Sequence, residues 1–185
     1  MSEGMADAFR SARLRFAPFT MDDAAEVYAC ITPEVTRFMR WDPPSSFEAF
    51  RERRLAELRA GDGPYRSFVI RRLDTLDCLG VCAVEGIPAP VPEVGLWLRA
   101  DAHGRGFGSE TVAALLAWAA ARLGRRAFDY PVAVDNVASR RIAERLGGAV
   151  VARRTTAKYE AVVYRIRAAP PAPPTVSPPA VATRS

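Results

Sequence analysis

The hydrophobic and polar positions of this chain change period several times, and each change marks an element. Arg13–Phe19 sets Leu14 and Phe16 at alternate positions, which predicts a first strand. Thr20-Met21-Asp22-Asp23 has the form of a capping box and opens a helix through Ala24, Val27, Tyr28 and Ile31. Pro33 starts a short helix carrying Val35, Phe38 and Met39, which ends before Trp41-Asp42-Pro43-Pro44. Ser46 caps a further amphipathic helix with Phe47, Phe50, Leu55 and Leu58, and Gly61 stops it. Strands follow at Tyr65–Leu73 and Cys78–Val84, with Asp74–Asp77 as their hairpin turn. The run Ile87-Pro88-Ala89-Pro90-Val91-Pro92 then blocks helix and interrupts the sheet.

The next stretch organises the rest. From Glu93, Val94, Leu96 and Leu98 alternate with Gly95, Trp97 and Arg99, predicting a strand. Five residues of turn chemistry lead to Gly104-Arg105-Gly106-Phe107-Gly108. A helix follows, with Val112, Leu115, Leu116, Ala119 and Leu123 on one face and Gly124 as its stop. Glycines between a strand and a helix let the backbone approach a ligand closely, and the first-turn N–H groups and the helix dipole favour an anion there. The pattern predicts a phosphate cradle; the plainer alternative is a glycine-rich turn with no ligand. A P-loop would need Lys-Ser or Lys-Thr after the glycines, and a dinucleotide fingerprint would need Gly where Ser109 stands, in the first βαβ unit of the chain. Beyond this helix the pattern gives a strand near Ala127–Val134, a helix over Asn136–Leu146, and strands at Ala149–Arg154 and Tyr159–Arg167.

Composition narrows the classes. With 185 residues, 49% hydrophobic and 25% charged, the chain has the length and balance of one globular domain. The net charge of +5 is spread over pairs such as Arg53/Arg54 and Arg140/Arg141, with no basic run interleaved with aromatics, so nucleic acid is not the expected partner. No window approaches the ~20 apolar residues of a membrane span, and the first residues have no apolar signal segment, so a cytoplasmic protein without membrane association is expected. Cys30, Cys78 and Cys82 are odd in number, and period two places Cys78 and Cys82 on one strand face as packing residues. A single histidine makes a metal site unexpected. Residues 1–11 read as a disordered lead, 12–168 as the domain, and 169–185, which holds six of the 15 prolines, as a disordered or polyproline-like tail.

Two segments carry a family resemblance. His103-Gly104-Arg105-Gly106-Phe107-Gly108 resembles the pyrophosphate-binding Gln/Arg-x-x-Gly-x-Gly/Ala segment of the GCN5-related N-acetyltransferases, with His in place of Gln or Arg. Val134 through Gly148 is similar to the same family's V-x-x-x-N-x-x-S…L-G run, with Asn136, Ser139, Leu146 and Gly147 at the matching places. Asn136 and Gly147 are also sound helix caps on their own account. The resemblance spans about residues 12–167. It implies an α/β domain with a mixed, mostly antiparallel sheet of about seven strands, splayed between the Glu93–Leu98 and Ala127–Val134 strands and flanked by helices. It also implies acetyl-CoA as acyl donor and no metal. The donor would be held by Leu98, Ala100, His103, Gly104, Arg105, Gly106, Phe107, Gly108, Ser109, Asn136 and Ser139.

Many relatives carry a tyrosine four residues after the Ser139 position, donating a proton to the leaving thiolate; here that place is Ala143. The branch that acetylates protein N-terminal amines, notably on ribosomal proteins, uses the serine instead, which makes Ser139 a catalytic candidate. Glu93 stands where relatives often carry the base or a water-relaying carboxylate; its plainer reading is a solvated strand-start residue. Pro131, in a predicted interior strand, fits a place where pairing is already lost. The expected reaction is direct attack of a primary amine on the thioester, since no Cys or His stands where an acyl-enzyme would need it. The expected acceptor is a peptide N-terminus, with small-molecule amines, or an acyl-CoA-binding module without catalysis, as alternatives. A monomer or homodimer is expected.

Overall fold

A computed structural model of the chain describes residues 8–59 and 63–168. Its strands are β1 (Phe9–Arg10), β2 (Leu14–Pro18), β3 (Tyr65–Arg72), β4 (Cys78–Glu85), β5 (Glu93–Leu98), β6 (Ala127–Ala133), β7 (Ala149–Thr155) and β8 (Glu160–Arg167). The helices are α1 (Ala24–Ala29), α2 (Pro33–Thr36), α3 (Phe47–Arg59), α4 (Phe107–Leu123) and α5 (Val137–Arg145). The strands form one sheet in the order β1-β2-β3-β4-β5-β6-β8-β7. Every neighbouring pair is antiparallel except β5–β6.

The two faces of the sheet bury different sets. On one face, Val112, Leu115, Leu116 and Ala119 of α4 pack on Phe16, Phe68, Ile70, Val84, Val94 and Phe128. On the other, Val27 of α1 and Phe50 of α3 pack on Phe19, Val69 and Val81. The local signals hold where they concern backbone chemistry. Thr20 and Asp23 form the capping box, Ser46 Oγ accepts the Ala49 N–H at 3.1 Å, and Gly124 ends α4 in the left-handed region.

Three expectations change. Phe9–Arg10, within the expected disordered lead, pair with Phe16 and Arg15, because Phe9 stacks on Phe16 at 4.5 Å and meets Trp118 of α4 at 5.6 Å. The sheet therefore has eight strands. The short helix at Pro33 stops at Thr36, so Phe38 and Met39 leave helical geometry and become half-buried cavity walls. Cys78 and Cys82 fall on opposite faces. Between Ile70 and Arg71 the β3–β4 register shifts, so Ile70 faces Gly80 while Arg71 faces Cys78. That extra residue, Leu79, is a β-bulge, and it inverts the alternation. All three cysteines are buried free thiols. The stop at Gly61 and the proline-rich tail lie outside the described residues.

Gly80, beside this bulge, has φ +151, and a Cβ there would lie 2.1 Å from the Trp97 carbonyl oxygen and 2.9 Å from Leu98 Cα. The clash is with β5 backbone, which cannot swing aside. Gly80→Ala should lower unfolding free energy by about 2–3 kcal/mol, read as a lower denaturant midpoint at constant slope. A change within a few tenths would show that β4 and β5 are not held this closely.

Candidate active site

Strands β5 and β6 run parallel and share one paired position, Glu93 with Asp129, where the Asp129 N–H donates to the Pro92 carbonyl at 2.9 Å. Beyond it the strands part. Strand periodicity fixes which groups face the gap. The Arg99 N–H donates to Leu79 of β4, so Leu98 and Leu96, one and three residues earlier, turn theirs toward β6. On β6, Pro131 has the same parity as Asp129, so its missing N–H falls on the parted side. Its substitution for a donor costs no ladder bond, and on its other edge β6 stays paired with β8 from Ala127 to Ala133. A short extended ligand could take up the unpaired groups of β5 as an added strand does.

Helix α4 starts at the end of β5. It begins at Phe107, so Gly108 and Ser109 belong to its first turn and the loop is shorter than the glycine spacing predicts. Gly106 is the N-cap with φ +81, Gly104 has φ +72, and no side chain caps the helix. The N–H groups of Phe107, Gly108 and Ser109 have no intrahelical acceptor, which is the anion-binding condition. Gly108 is glycine for packing, since a Cβ would lie 2.9 Å from Ile142 Cδ1 of α5. The turn is braced from β2. Arg13 donates to the Arg105 carbonyl at 3.1 Å and to Glu110 at 2.7 Å, and lies over the Phe107 ring at 4.5 Å. Burial favours neutral Glu110, yet hydrogen bonds from Ser11 and Arg13 hold its carboxyl below the usual range. Arg145 of α5 donates to Ser109 Oγ at 3.0 Å, bringing a second cation to the helix N-terminus.

Three residues expected to hold the donor also bond one another within the turn. His103 Nε2 bonds the Leu98 carbonyl at 2.9 Å, and the His103 N–H donates to the Ala100 carbonyl at 3.1 Å. The histidine side chain and both carbonyls thus close the turn after β5. Gly104, Arg105 and Gly106 lie on the loop, and Phe107, Gly108 and Ser109 form the first turn of α4.

Helix α5 supplies the other side. Asn136 Oδ1 caps it by accepting the Ser139 N–H at 3.1 Å, and Asn136 and Ser139 both line a cavity of about 830 Å³. This cavity runs along the parted arms, Val94–Trp97 of β5 and Tyr130–Ala133 of β6. It continues to Phe38–Trp41, to α3, and to Arg154–Thr156 and Tyr159 of the β7–β8 hairpin. Lys158 Nζ at the hairpin turn donates to the Thr36 carbonyl at 3.1 Å, the Trp41 carbonyl at 3.2 Å and Asp42 at 2.7 Å. That clasp joins the hairpin to the α2–α3 loop along one side of the cavity. Glu93 stands where the strands part, with Oε1 on Arg154 at 2.5 Å.

Sequence reading missed Tyr130, Arg154 and Lys158. For Tyr130 a signal was present: Phe128, Tyr130 and Val132 form one buried stripe, and a phenol in such a stripe needs a partner. Its hydroxyl lies 2.5 Å from Ser139 Oγ. The two cations carry no local signal, because their partners are 61 and 116 residues away.

The fold as a whole is similar to that of solved proteins. A GCN5-related N-acetyltransferase from Brucella melitensis is 20% identical, with a TM-score of 0.73 over 86% of this chain and 78% of that one. The ribosomal L7/L12 alpha-N-protein acetyltransferase RimL, solved with coenzyme A, is 18% identical, with a TM-score of 0.72 over 85% and 96%. Spermidine N-acetyltransferase from Vibrio cholerae, solved with coenzyme A and spermine, is 14% identical, with a TM-score of 0.73 over 85% and 96%. These likenesses show the fold. No curated protein matches the chain significantly in sequence. The family model for the acetyltransferase (GNAT) domain matches residues 13–149, most of the described chain, and the protein therefore belongs to the GNAT acetyltransferases.

Proposed function

We propose that this acetyltransferase moves an acetyl group from acetyl-CoA to the N-terminal amine of a peptide or protein, by direct attack with both substrates bound. The observation that carries the reading is the continuity of three features. An uncapped helix N-terminus follows the end of β5, unpaired strand edges lead from it, and an 830 Å³ cavity takes in the parted strands and reaches the β7–β8 hairpin. The residues present fit the donor. The pyrophosphate would lie on the N–H groups of Phe107, Gly108 and Ser109, where Gly106 leaves room, and the pantetheine arm along the N–H groups of Leu96 and Leu98 beside Asn136. The bound thioester supplies the activated acetyl group.

The chain's own residues would do the rest. Glu93, at the parting of the strands, keeps Oε2 for the acceptor amine or a water that takes its proton. Ser139, half-buried on the cavity wall, donates toward the departing sulfur. The cavity charge favours a peptide over a polyamine as acceptor. Its three carboxylates are each neutralised: Glu85 by Arg40 at 2.7 Å, Glu93 by Arg154 at 2.5 Å and Glu57 by Arg54 at 2.5 Å. A polycation would find no surplus negative charge, whereas a single amine followed by a neutral or acidic peptide suits four lining arginines. An acceptor screen with N-terminal peptides and polyamines side by side, read by mass spectrometry, tests this. Polyamine acetylation in preference to peptides would overturn the acceptor, and coenzyme A binding without turnover of any amine would overturn catalysis.

Gly106→Val puts a branched side chain at φ +81, with its Cβ about where Arg13 Nη2 lies 3.3 Å away. Affinity for coenzyme A in calorimetry should fall by about tenfold or more. A folded variant that binds at the parent strength removes the cradle.

Glu93→Gln keeps the shape but cannot take a proton. It should lower kcat and move the optimum to higher pH, where more acceptor arrives as neutral amine, with coenzyme A binding unchanged. Superimposable pH–rate profiles would return Glu93 to its pairing with Arg154.

Ser139→Ala should reduce kcat by about tenfold to a hundredfold, with coenzyme A affinity little changed. Parent turnover under chemistry-limited conditions would end its role at the sulfur.

A further inference from the structure

Tyr130 lies in the core of β6, 3% exposed, with its hydroxyl 2.5 Å from Ser139 Oγ. Among the described residues Ser139 is the hydroxyl's one hydrogen-bond partner. Which oxygen donates follows from what each would leave unmade. If the serine donated, the phenol hydrogen would be buried without an acceptor, at the full desolvation cost of a polar group. If the phenol donates, its hydrogen is satisfied and the serine keeps its own hydrogen. The second arrangement leaves nothing buried and unpaired. Ser139 lines the cavity, and its backbone N–H is already spent on Asn136, so only its hydroxyl has a bond left to make there.

The place on α5 that carries a tyrosine in many relatives cannot serve. Ala143, one turn beyond Ser139 on the same helix face, is fully buried and carries no hydroxyl. The phenol in this protein comes from the neighbouring strand instead.

We propose that Tyr130 is a positioning residue for the transfer step: its phenol donates to Ser139 Oγ and thereby commits the serine hydroxyl hydrogen to the cavity, where it stabilises the departing thiolate. The proposal rests on the acetyl-transfer reading above. In that step the amine nitrogen bonds to the acetyl carbon, the C–S bond breaks, and its electron pair stays on sulfur. The amine proton leaves toward Glu93 or water. Neither hydroxyl gives up its proton, because burial pushes the Tyr130 phenol up to about 12. A thiol loses its proton near ~8.5, so transfer from the phenol to the thiolate would be uphill by about three powers of ten. What the pair contributes is a polarised chain of two hydrogen bonds ending at sulfur, each strengthening the other in a site of low dielectric.

The test is the ionisation of coenzyme A bound to the full-length protein, followed by the ultraviolet absorbance of its thiolate, alongside kcat. In the parent, the bound thiol should ionise at lower pH than free coenzyme A. Tyr130→Phe should raise the bound thiol's pKa by about 0.5 to 1 and lower kcat by about three- to tenfold, with coenzyme A affinity unchanged. Ser139→Ala should do at least as much, and the double variant no more than Ser139→Ala alone, because the phenol acts only through the serine. A parent-like thiol pKa in Tyr130→Phe, or effects of the two substitutions that add, would overturn the proposal. Ring-fluorinated tyrosine at position 130 keeps the buried shape and strengthens the donor, so it should lower the bound thiol's pKa further. No change there overturns the proposal even if Tyr130→Phe fails to fold. Absence of coenzyme A binding by the folded parent would instead sink the acetyl-transfer reading itself.

Discussion

The structure turns on a hydrogen-bond ladder that stops after one rung. Strands β5 and β6 are paired at Glu93 and Asp129 and not beyond, and almost every feature of the site depends on that interruption. An interior strand with unpaired backbone groups is costly in a protein core unless something else satisfies them. Here the parted strands open onto a cavity rather than onto packed side chains. The rest of the sheet makes the gap tolerable. β6 is fully paired with β8 on its other edge, and β5 is fully paired with β4. Each arm is therefore held by its own ladder on the outer side of the gap.

The cradle and the gap are set by the same stretch of chain. Because α4 follows β5 after a single 3-10 turn, its N-terminus falls at the end of the arm whose N–H groups are unpaired. The turn is stiffened from three sides: His103 on the Leu98 carbonyl, Arg13 on the Arg105 carbonyl, and Glu110 holding Ser11 and Arg13. These bonds involve polar groups that a phosphate could otherwise have drawn on. They leave the first-turn amides of α4 without a side-chain acceptor.

Cation placement then separates the two ends of the site. At the helix end, Arg105 and Arg145 stand near amides that already favour an anion. At the hairpin end, each glutamate is matched by an arginine, and Trp41 meets Trp97 edge to face at 6.4 Å. Pairs of this kind, partly exposed, contribute little to stability. Their consequence is electrostatic: each lining carboxylate is matched by an arginine, and Arg53 adds a fourth cation to the cavity wall.

How much of this was legible beforehand follows from the range of the interactions involved. Whatever depends on neighbours a few residues apart was determined by the sequence. The capping box at Thr20–Asp23, the caps at Ser46 and Asn136, the left-handed stops at Gly124 and Gly147, the glycine loop and the amphipathic face of α4 are all local backbone or periodicity effects, and all are present. Pro131 belongs with them, since a missing donor is a property of one residue wherever the strand lies. Tertiary structure decided the rest, because each case needs a partner far along the chain. Phe9 became a strand residue only by stacking on Phe16 and Trp118. Leu79 became a bulge through its register with β3, turning Cys78 and Cys82 to opposite faces. Glu93 gained Arg154 from a strand 61 residues on. Tyr130 gained Ser139 because α5 folds back over β6, an encounter that nine residues of sequence separation do not specify.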